Sequence, residues 1–385
     1  VGHVCRGALP CPQGGFIMSD ETFEARLQRF VDRQEIAHVI ANHSRGIDRA
    51  NPAVFDNVYH PDGDVAYGFF DGTSAEFAQV VTAGADDRPG TLHRPSNVWI
   101  DVDGDTAKSE SYVIVYNPTR DESGETSGEE MFIGGRYLDR HERRDGTWRM
   151  THRTYVMDWN MNHPGTGSLM PGYEVQSGLQ GLKGPSDPSV GFFGGDFLGG
   201  DERDGGNTMT EVTADLMARA QLAFDQQDIH ELICAQARAI DRGDEALFRS
   251  LFAMESTVDI GSFVGSGEDF VTMILDATKD MTHMAHSVSN EWVRVDGDTA
   301  KAESYVIAFT TAPTPDGDED TITGGRYLDS FARQDGRWIF IGRTFVSDWI
   351  VTQPSTDKSD EGMLASLATR AQKYPDDALY KHMEC

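Results

Sequence analysis

The sequence predicts an α+β fold built twice: two tandem cone-shaped barrels, each a curved antiparallel sheet wrapped on N-terminal helices, docked as an intrachain pseudo-dimer. Three observations lead there. The phrase "GIDRANPAVFDNVY" at 46–59 returns as "AIDRGDEALFRSLF" at 239–252, and "VDGDTAKSESYVI" at 102–114 returns as "VDGDTAKAESYVI" at 295–307. In each copy helical periodicity comes first and a run of alternating strands follows, which is the order of an α+β domain.

The repeat is in register over most of the chain. Gln34, Ile36, Asp48, Phe55, Gly72, His93, Asn97 and Trp99 match Gln227, Ile229, Asp241, Phe248, Gly265, His286, Asn290 and Trp292 at a constant spacing of 193. After the loop "YNPTRDESGETSGEE" the spacing shortens to 190 and holds for "GGRYLD" at Gly134 and Gly324, for Arg153 and Arg343, for "DW" at Asp158 and Asp348, and for Lys183 and Lys373. A period this long, seen twice, means two whole domains rather than a solenoid. The expected division is a disordered leader at 1–18, domains at 19–188 and 210–385, and a Gly-rich acidic linker at 189–209, whose Phe192, Phe193 and Phe197 are apolar enough to dock as a lid.

In chain order, "QEIAHVIANHSRGID" places Ile36, Val39, Ile40, His43 and Ile47 on one helical face, and "DIHELICAQARAID" does the same with Ile229, Leu232, Ile233, Gln236 and Ile240. Asn51-Pro52 reads as an N-cap followed by proline in the first helical turn, with Asp244 as the cap of the second copy. "SNVWIDV", "AKSESYVIVY", "MFIGGRYLDRHERR" and "WRMTHRTYVMDW" read as antiparallel strands, turning at Asp103-Gly104 and Asp145-Gly146.

The balance of 33 basic against 63 acidic residues gives a net charge of −30, a surface that repels phosphate backbones and anionic lipid. Neither nucleic acid nor a membrane is an expected partner. Four cysteines, Cys5, Cys11, Cys234 and Cys385, lie too far apart for a disulfide framework or a zinc cage, and a reducing cytoplasm is expected. Residues 1–18 lack the basic and apolar segments of a secretory signal.

Among chemistry-bearing residues, "DVDGDTAKSESY" starts like a calcium loop, but Thr106 and Tyr112 stand where Gly and Glu are required, so a hairpin is expected. His283 and His286 have no evident third ligand for a metal. No phosphate loop, nucleophile elbow or redox motif is present, and no cofactor or metal is expected. Tyr137 and Tyr327 alternate with Arg136 and Arg326; the tyrosines are expected inside and the arginines at the interface between domains. His43, replaced by Gln236 in the second copy, is expected to be a hydrogen-bonded core residue or pocket wall.

The helix ending in "(I/V)D(R/K)", the His before "xxxN" at a strand start, "ER-x-DG-x-W" and the closing "R…DW" together resemble the SnoaL-like branch of the nuclear transport factor 2-like superfamily, over roughly residues 25–160 and 218–350. The resemblance, to polyketide cyclases, scytalone dehydratase and hexachlorocyclohexane dehydrochlorinase, implies cofactor-independent lyase or isomerase chemistry on a hydrophobic cyclic or aromatic small molecule. Dehydration, dehydrohalogenation, cyclisation and deformylating C–C cleavage of diaryl compounds all fall within it. It places a proton-abstracting base at His93 and His286 and its orienting acid at Asp48 and Asp241. It also aligns Arg153 and Arg343 with a last-strand arginine, able either to stabilise an oxyanion or leaving group or to pair with Asp158 and Asp348, and Tyr137 and Tyr327 with a pocket aromatic. Tyr67, Trp99 and Trp292 complete the expected substrate-contacting set. The alternative is a noncatalytic binding or assembly subunit, like the small subunit of ring-hydroxylating dioxygenases. Further homo-oligomerisation stays open.

Overall fold

A computed structural model of the protein describes residues 22–83, 91–120, 127–164 and 214–383. The expected leader and linker, with Phe192, Phe193 and Phe197, lie outside the described residues.

The first half opens with helix α1 (Phe23–Asp48), capped by the Thr22 side chain and burying Ile36, Val39, Ile40, His43 and Ile47, the face that the periodicity marks. Ala50 takes a left-handed φ of 48° and turns the chain, and Asn51 then accepts from the Ala53 amide to start a 3-10 turn (Pro52–Val54) and helix α2 (Phe55–Val58). Strands β1 (Tyr59–Ala66) and β2 (Asp71–Thr73) follow, then helix α3 (Ser74–Thr82), which a Thr73/Glu76 capping box begins. Four long strands complete the half: β3 (Leu92–Asp103), β4 (Thr106–Arg120), β5 (Ser127–Arg144) and β6 (Thr147–Pro164).

The second half repeats the order: α4 (Ala214–Arg242), α5 (Glu245–Ser250, capped by Asp244), β7 (Phe252–Asp259), β8 (Val264–Ser266), α6 (Gly267–Thr278), β9 (His283–Asp296), β10 (Thr299–Thr314), β11 (Gly317–Gln334) and β12 (Arg337–Pro354). Two short helices, α7 (Gly362–Ser366) and α8 (Ala378–Met383), end the described chain.

Each half has a six-stranded sheet, ordered β2-β1-β6-β5-β4-β3 and β8-β7-β12-β11-β10-β9. The sheets are not wholly antiparallel as expected, because β1 runs parallel to β6 and β7 parallel to β12. Those short strands escape pattern reading: in β1 the run "HPDGD" interrupts the apolar alternation. The expected hairpins form, and Asp145 and Gly146, with φ of 51° and 78°, suit the primed turn that matches strand twist. One apolar core lies between helices and sheet in each half. Among the described residues no helix is long and apolar enough to cross a membrane.

The halves dock along β3 and β9. Arg94 donates to Ser289 Oγ at 2.8 Å, Ser96 and Ser287 hydroxyls meet at 2.8 Å, and the Asn97 side chain donates to the His286 carbonyl at 2.7 Å while accepting from the Val288 amide at 2.6 Å. Trp159 stacks on Phe309 at 4.1 Å, and Arg33 pairs with Glu231 at 2.8 Å.

Beyond Pro354 the chain crosses back onto the outer face of the first sheet. Met157 and the 369–371 segment exchange backbone hydrogen bonds, and Leu379 packs on Leu138 and Val156. Asp377 there closes a buried charge network: its carboxylate accepts two 2.7 Å bonds from Arg136, which also binds Asp158 and Glu110, while Arg238 binds Glu110 and Arg242 approaches Asp377 at 3.5 Å. Arg136 is thus at the interface, as expected; Arg326, its counterpart, is half-buried beside Glu303. Leu138 is buried under this cover and Trp99 and Tyr112 against the second half, whereas their counterparts Leu328, Trp292 and Tyr305 are exposed.

Burial alone would raise the Asp377 carboxyl, but Arg136 and then Arg242 hold it well below the usual carboxylate range. Its folded value is lower than its unfolded one, so its contribution is complete above about pH 4 and is lost as pH falls through the folded value. Asp377→Asn therefore costs about 3–5 kcal/mol at pH 7 in denaturant unfolding, and the gap to wild type narrows below about pH 4. Asp276→Asn, at the exposed Lys279 pair, changes stability by less than about 0.5 kcal/mol. A pH-independent gap for Asp377→Asn would contradict this.

Candidate active site

Each long helix ends in a carboxylate aimed at the start of a long strand. In the first half, Asp48 closes α1 and His93 is the second residue of β3, where the strand leaves the sheet edge beside the helix end. The His93 Nδ1 lies 2.7 Å from Asp48 Oδ1, and the His93 amide donates to Asp48 Oδ2 at 2.9 Å. Thr91 Oγ adds a third bond, to Oδ1, at 3.1 Å. The second half repeats this: His286 Nδ1 stands 2.6 Å from Asp241 Oδ1 and the His286 amide donates to Oδ2 at 3.0 Å.

Because both carboxylate oxygens are engaged, the acid fixes the imidazole and the strand carrying it. A hydrogen bond from Nδ1–H to a carboxylate leaves the lone pair on Nε2, and neither Nε2 bonds to a described residue. Both rings keep a 13% exposed side chain, so Nε2 is reachable, while the acids lie deeper. Burial would raise the Asp241 carboxyl, but the adjacent His286 and its hydrogen bonds hold it below its ordinary value, which keeps it an acceptor at neutral pH.

Of the expected arginine pairings with the closing "DW" acids, that of Arg153 with Asp158 does not form; the Asp348 side chain lies outside the described residues. Arg153 is wholly buried and clamps Asp139 with bonds of 2.7 and 2.6 Å; Arg343 clamps Asp329 at 2.7 and 2.8 Å. Asp139 and Asp329 sit across the β5–β6 and β11–β12 ladders from them, whereas Asp158 points to the opposite face and binds Arg136. Each guanidinium lies over the expected inward tyrosine, Arg153 at 3.8 Å from the Tyr137 ring and Arg343 at 3.9 Å from Tyr327. In each, Nη1 is buried with no hydrogen-bond partner.

Sequence reasoning passed over Asp139 and Asp329, although "GGRYLD" carries both. Of the aromatic wall it named Tyr67 and Tyr137 and passed over Tyr59, Phe77 and Tyr155. Tyr67 stacks on Phe77 at 4.6 Å and on Tyr155 at 5.6 Å, and Tyr59 lies 5.8 Å from His43. Of the two expectations for His43 the hydrogen-bonded one fails, because neither ring nitrogen has a partner among the described residues; its ring lies among Tyr59, Phe77 and Tyr137. Burial, then the Arg153 charge and His93, push it well below its ordinary value, so it is a neutral imidazole beside the dyad.

Trp99 and Trp292 are not placed to touch a ligand held by these groups. Trp99 lies under the Arg238 guanidinium, 4.7 Å away at the interface, and Trp292 is 62% exposed on the outer face. Strand alternation puts both on the side opposite the core.

His283 Nδ1 donates to the Asp158 carbonyl at 2.8 Å and does not join His286. Among the described residues one cluster has metal-binding composition, His230, Cys234 and Glu291, with ligand atoms within 4.8 Å of one another. Its imidazole is already engaged on both sides, at 2.8 Å to Glu291 and 3.0 Å to the Val98 carbonyl of the other half. Burial would lower this group, yet Cys234 and Glu291 raise it well above the ordinary value, and a protonated imidazole is no metal ligand. The cluster is an interface tie.

A family model described as the SnoaL-like domain matches residues 28–154 and again 221–344. No curated protein matches the chain. Among solved structures it is similar to Kfla4162 from Kribbella flavida (19% identity, 33% of this chain, 93% of that one, TM-score 0.31). It is similar also to a protein assigned as a scytalone dehydratase from Novosphingobium aromaticivorans DSM 12444 (19%, 36% and 95%, 0.30). A third is the hexachlorocyclohexane dehydrochlorinase LinA-type3 from Novosphingobium barchaimii LL02 (15%, 34% and 92%, 0.31).

The geometry fixes a tautomer that can be read directly. Long-range ¹H–¹⁵N correlation at neutral pH should show His93 and His286 protonated on Nδ1, with Asp48→Asn and Asp241→Asn each releasing its own histidine to a mixture. An Nε2–H form in the wild type would refute the assignment.

Proposed function

The chain belongs to the SnoaL-like domain family in both halves, and on that premise we propose that it is a cofactor-independent lyase or isomerase acting on a cyclic or aromatic small molecule. The observation that carries this reading is the pair of buried carboxylates, each holding a partly exposed imidazole through Nδ1.

In the proposed step Nε2 of His93 or His286 takes a proton from carbon. The C–H electron pair becomes the new π bond as a leaving group on the adjacent carbon departs with its own pair. Asp48 or Asp241 stabilises the imidazolium, which returns the proton to a departing hydroxide or to solvent. The buried Nη1 of Arg153 or Arg343 is a fixed donor for the charge that develops on the substrate, and its Asp139 or Asp329 clamp costs no reorganisation during reaction. Tyr67, Tyr137 and Tyr327 would contact the ring.

A second reading, an assembly subunit, is favoured by one observation: Trp292, Tyr305 and Leu328 leave an apolar outer face on the second sheet. Copurification of a stoichiometric catalytic partner would support it.

A screen of hydroxylated and halogenated cyclic compounds with the wild type, His93→Ala, His286→Ala and the double variant tests the enzyme reading. Loss of the base should lower turnover by about 10²- to 10⁴-fold, fully only in the double variant if both halves act. A double variant with full activity would sink the dyad assignment.

A further inference from the structure

The two halves share the acid, the imidazole, the clamped arginine, the inner tyrosine and the phenylalanines at Phe55/Phe248 and Phe77/Phe270, but three tyrosines of the first wall become phenylalanine or isoleucine in the second. In the first half the residues around Tyr137 are His43, Tyr59, Tyr67 and Tyr155, whose ring centroids lie 5.7 to 6.3 Å from Tyr137 or, for Tyr59, 5.8 Å from His43. The same positions in the second half are Gln236, Phe252, Ile260 and Phe345. Geometry confirms the matching. Tyr137–Tyr155 at 5.8 Å becomes Tyr327–Phe345 at 5.6 Å, Phe55–Tyr59 at 6.4 Å becomes Phe248–Phe252 at 5.9 Å, and the Tyr67 amide bond to the Phe70 carbonyl becomes Ile260 to Phe263, each 3.0 Å.

Buried polar atoms almost always have partners, and each exception asks for an explanation. In the first half the hydroxyls of Tyr59, Tyr67 and Tyr155, both nitrogens of His43 and Nη1 of Arg153 are all buried and unpartnered. Those of Tyr59, Tyr67 and His43 gather at one place, where the Arg153 charge acts on all three; Tyr155 stacks on Tyr67 at 5.6 Å with its hydroxyl against Gly135. In the second half the corresponding orphans are only the Gln236 amide and Arg343 Nη1, because Phe252, Ile260 and Phe345 carry no polar atom on their side chains.

We propose that the two halves take different substrate classes around the same acid–base pair: the first half a ring bearing several hydroxyl or oxo groups, the second a hydrocarbon or halogenated ring with at most one polar substituent. The inference deepens the functional reading above and rests on it for the word substrate. Wall polarity acts on binding whether or not the ligand turns over. Two phenolic hydroxyls, those of Tyr59 and Tyr67, a neutral imidazole and a guanidinium N–H can each satisfy an oxygen of a ligand, and would stay unsatisfied against chlorine or C–H. Conversely, a polyhydroxylated ring in the second half would bury hydroxyls against phenylalanine and isoleucine, which is the costly arrangement there.

Isothermal titration of the full chain with a matched pair of probes, 1,3-dihydroxybenzene and 1,3-dichlorobenzene, tests this with no need for turnover. One site per chain is expected for each probe. Tyr59→Phe/Tyr67→Phe/Tyr155→Phe, which gives the first half aromatic walls without hydroxyls, should weaken the dihydroxy probe by about 10-fold or more and raise the dichloro stoichiometry from one to two. Should that triple variant fail to fold, Tyr59→Phe alone should weaken the dihydroxy probe several-fold, and Phe252→Tyr in the second half should strengthen it there. Two equal sites for either probe in the wild type, or a dihydroxy affinity indifferent to the tyrosine hydroxyls, which then hold ordered water only, would overturn the inference. Selective probe binding by the wild type together with inert chemistry in the activity screen would leave this inference standing and remove the proton-abstraction reading.

Discussion

A carboxylate buried where a long helix stops is the constraint on which the candidate sites depend. Asp48 and Asp241 each use one oxygen for the imidazole and the other for the amide of the same histidine. The two bonds lock side chain and backbone together, so the helix end, the strand start and the imidazole tautomer are set by one group. An unpaired carboxylate at that depth would cost several kcal/mol, which makes the paired arrangement a condition of folding as well as of chemistry.

The docking of the halves extends that constraint. Asn97, held in a left-handed conformation at the irregularity of β3, reaches the backbone on both sides of Ser287, so the first half braces the strand that bears His286. On the other side, Arg242 follows Asp241 directly and enters the buried network around Asp377, while Lys373 from the returning chain reaches the Asp241 carbonyl at 3.4 Å. The second dyad is therefore supported by residues of the first domain and of the C-terminal segment. A pseudo-dimer inside one chain lets the two faces diverge, and they have: one is covered by that segment, and its counterpart leaves Trp292 and Leu328 exposed.

Much of this was legible in the sequence because the repeat acted as its own comparison. Helix faces, caps at Asn51 and Asp244, the hairpins and the separation of 45 residues between acid and histidine all recur, and recurrence separates a constraint from chance. The illegible parts have physical reasons. β1 is short and interrupted by polar residues, so no period marks it or its parallel pairing. The partners of Arg153 and Arg343 are set by cross-strand register, which a sequence does not display. Trp99 and Trp292 recur as faithfully as the histidines, yet strand alternation turns them outward; recurrence alone does not tell the inner face from the outer. The role of Asp377, 241 residues from Arg136, depends on a chain reversal that nothing local announces.

The duplication kept the acid, the imidazole and the clamped arginine while the surrounding wall changed, the pattern expected if the conserved set does chemistry and the wall chooses the ligand. The most direct measurement is deuterium uptake from D₂O at the acidic carbon of a ring ketone such as 2-tetralone, followed by NMR. The account predicts that the wild type accelerates exchange, that Asp48→Asn/Asp241→Asn slows it, and that His93→Ala/His286→Ala returns it to the buffer rate. Exchange at the buffer rate with the wild type, or undiminished exchange with both imidazoles removed, would contradict it.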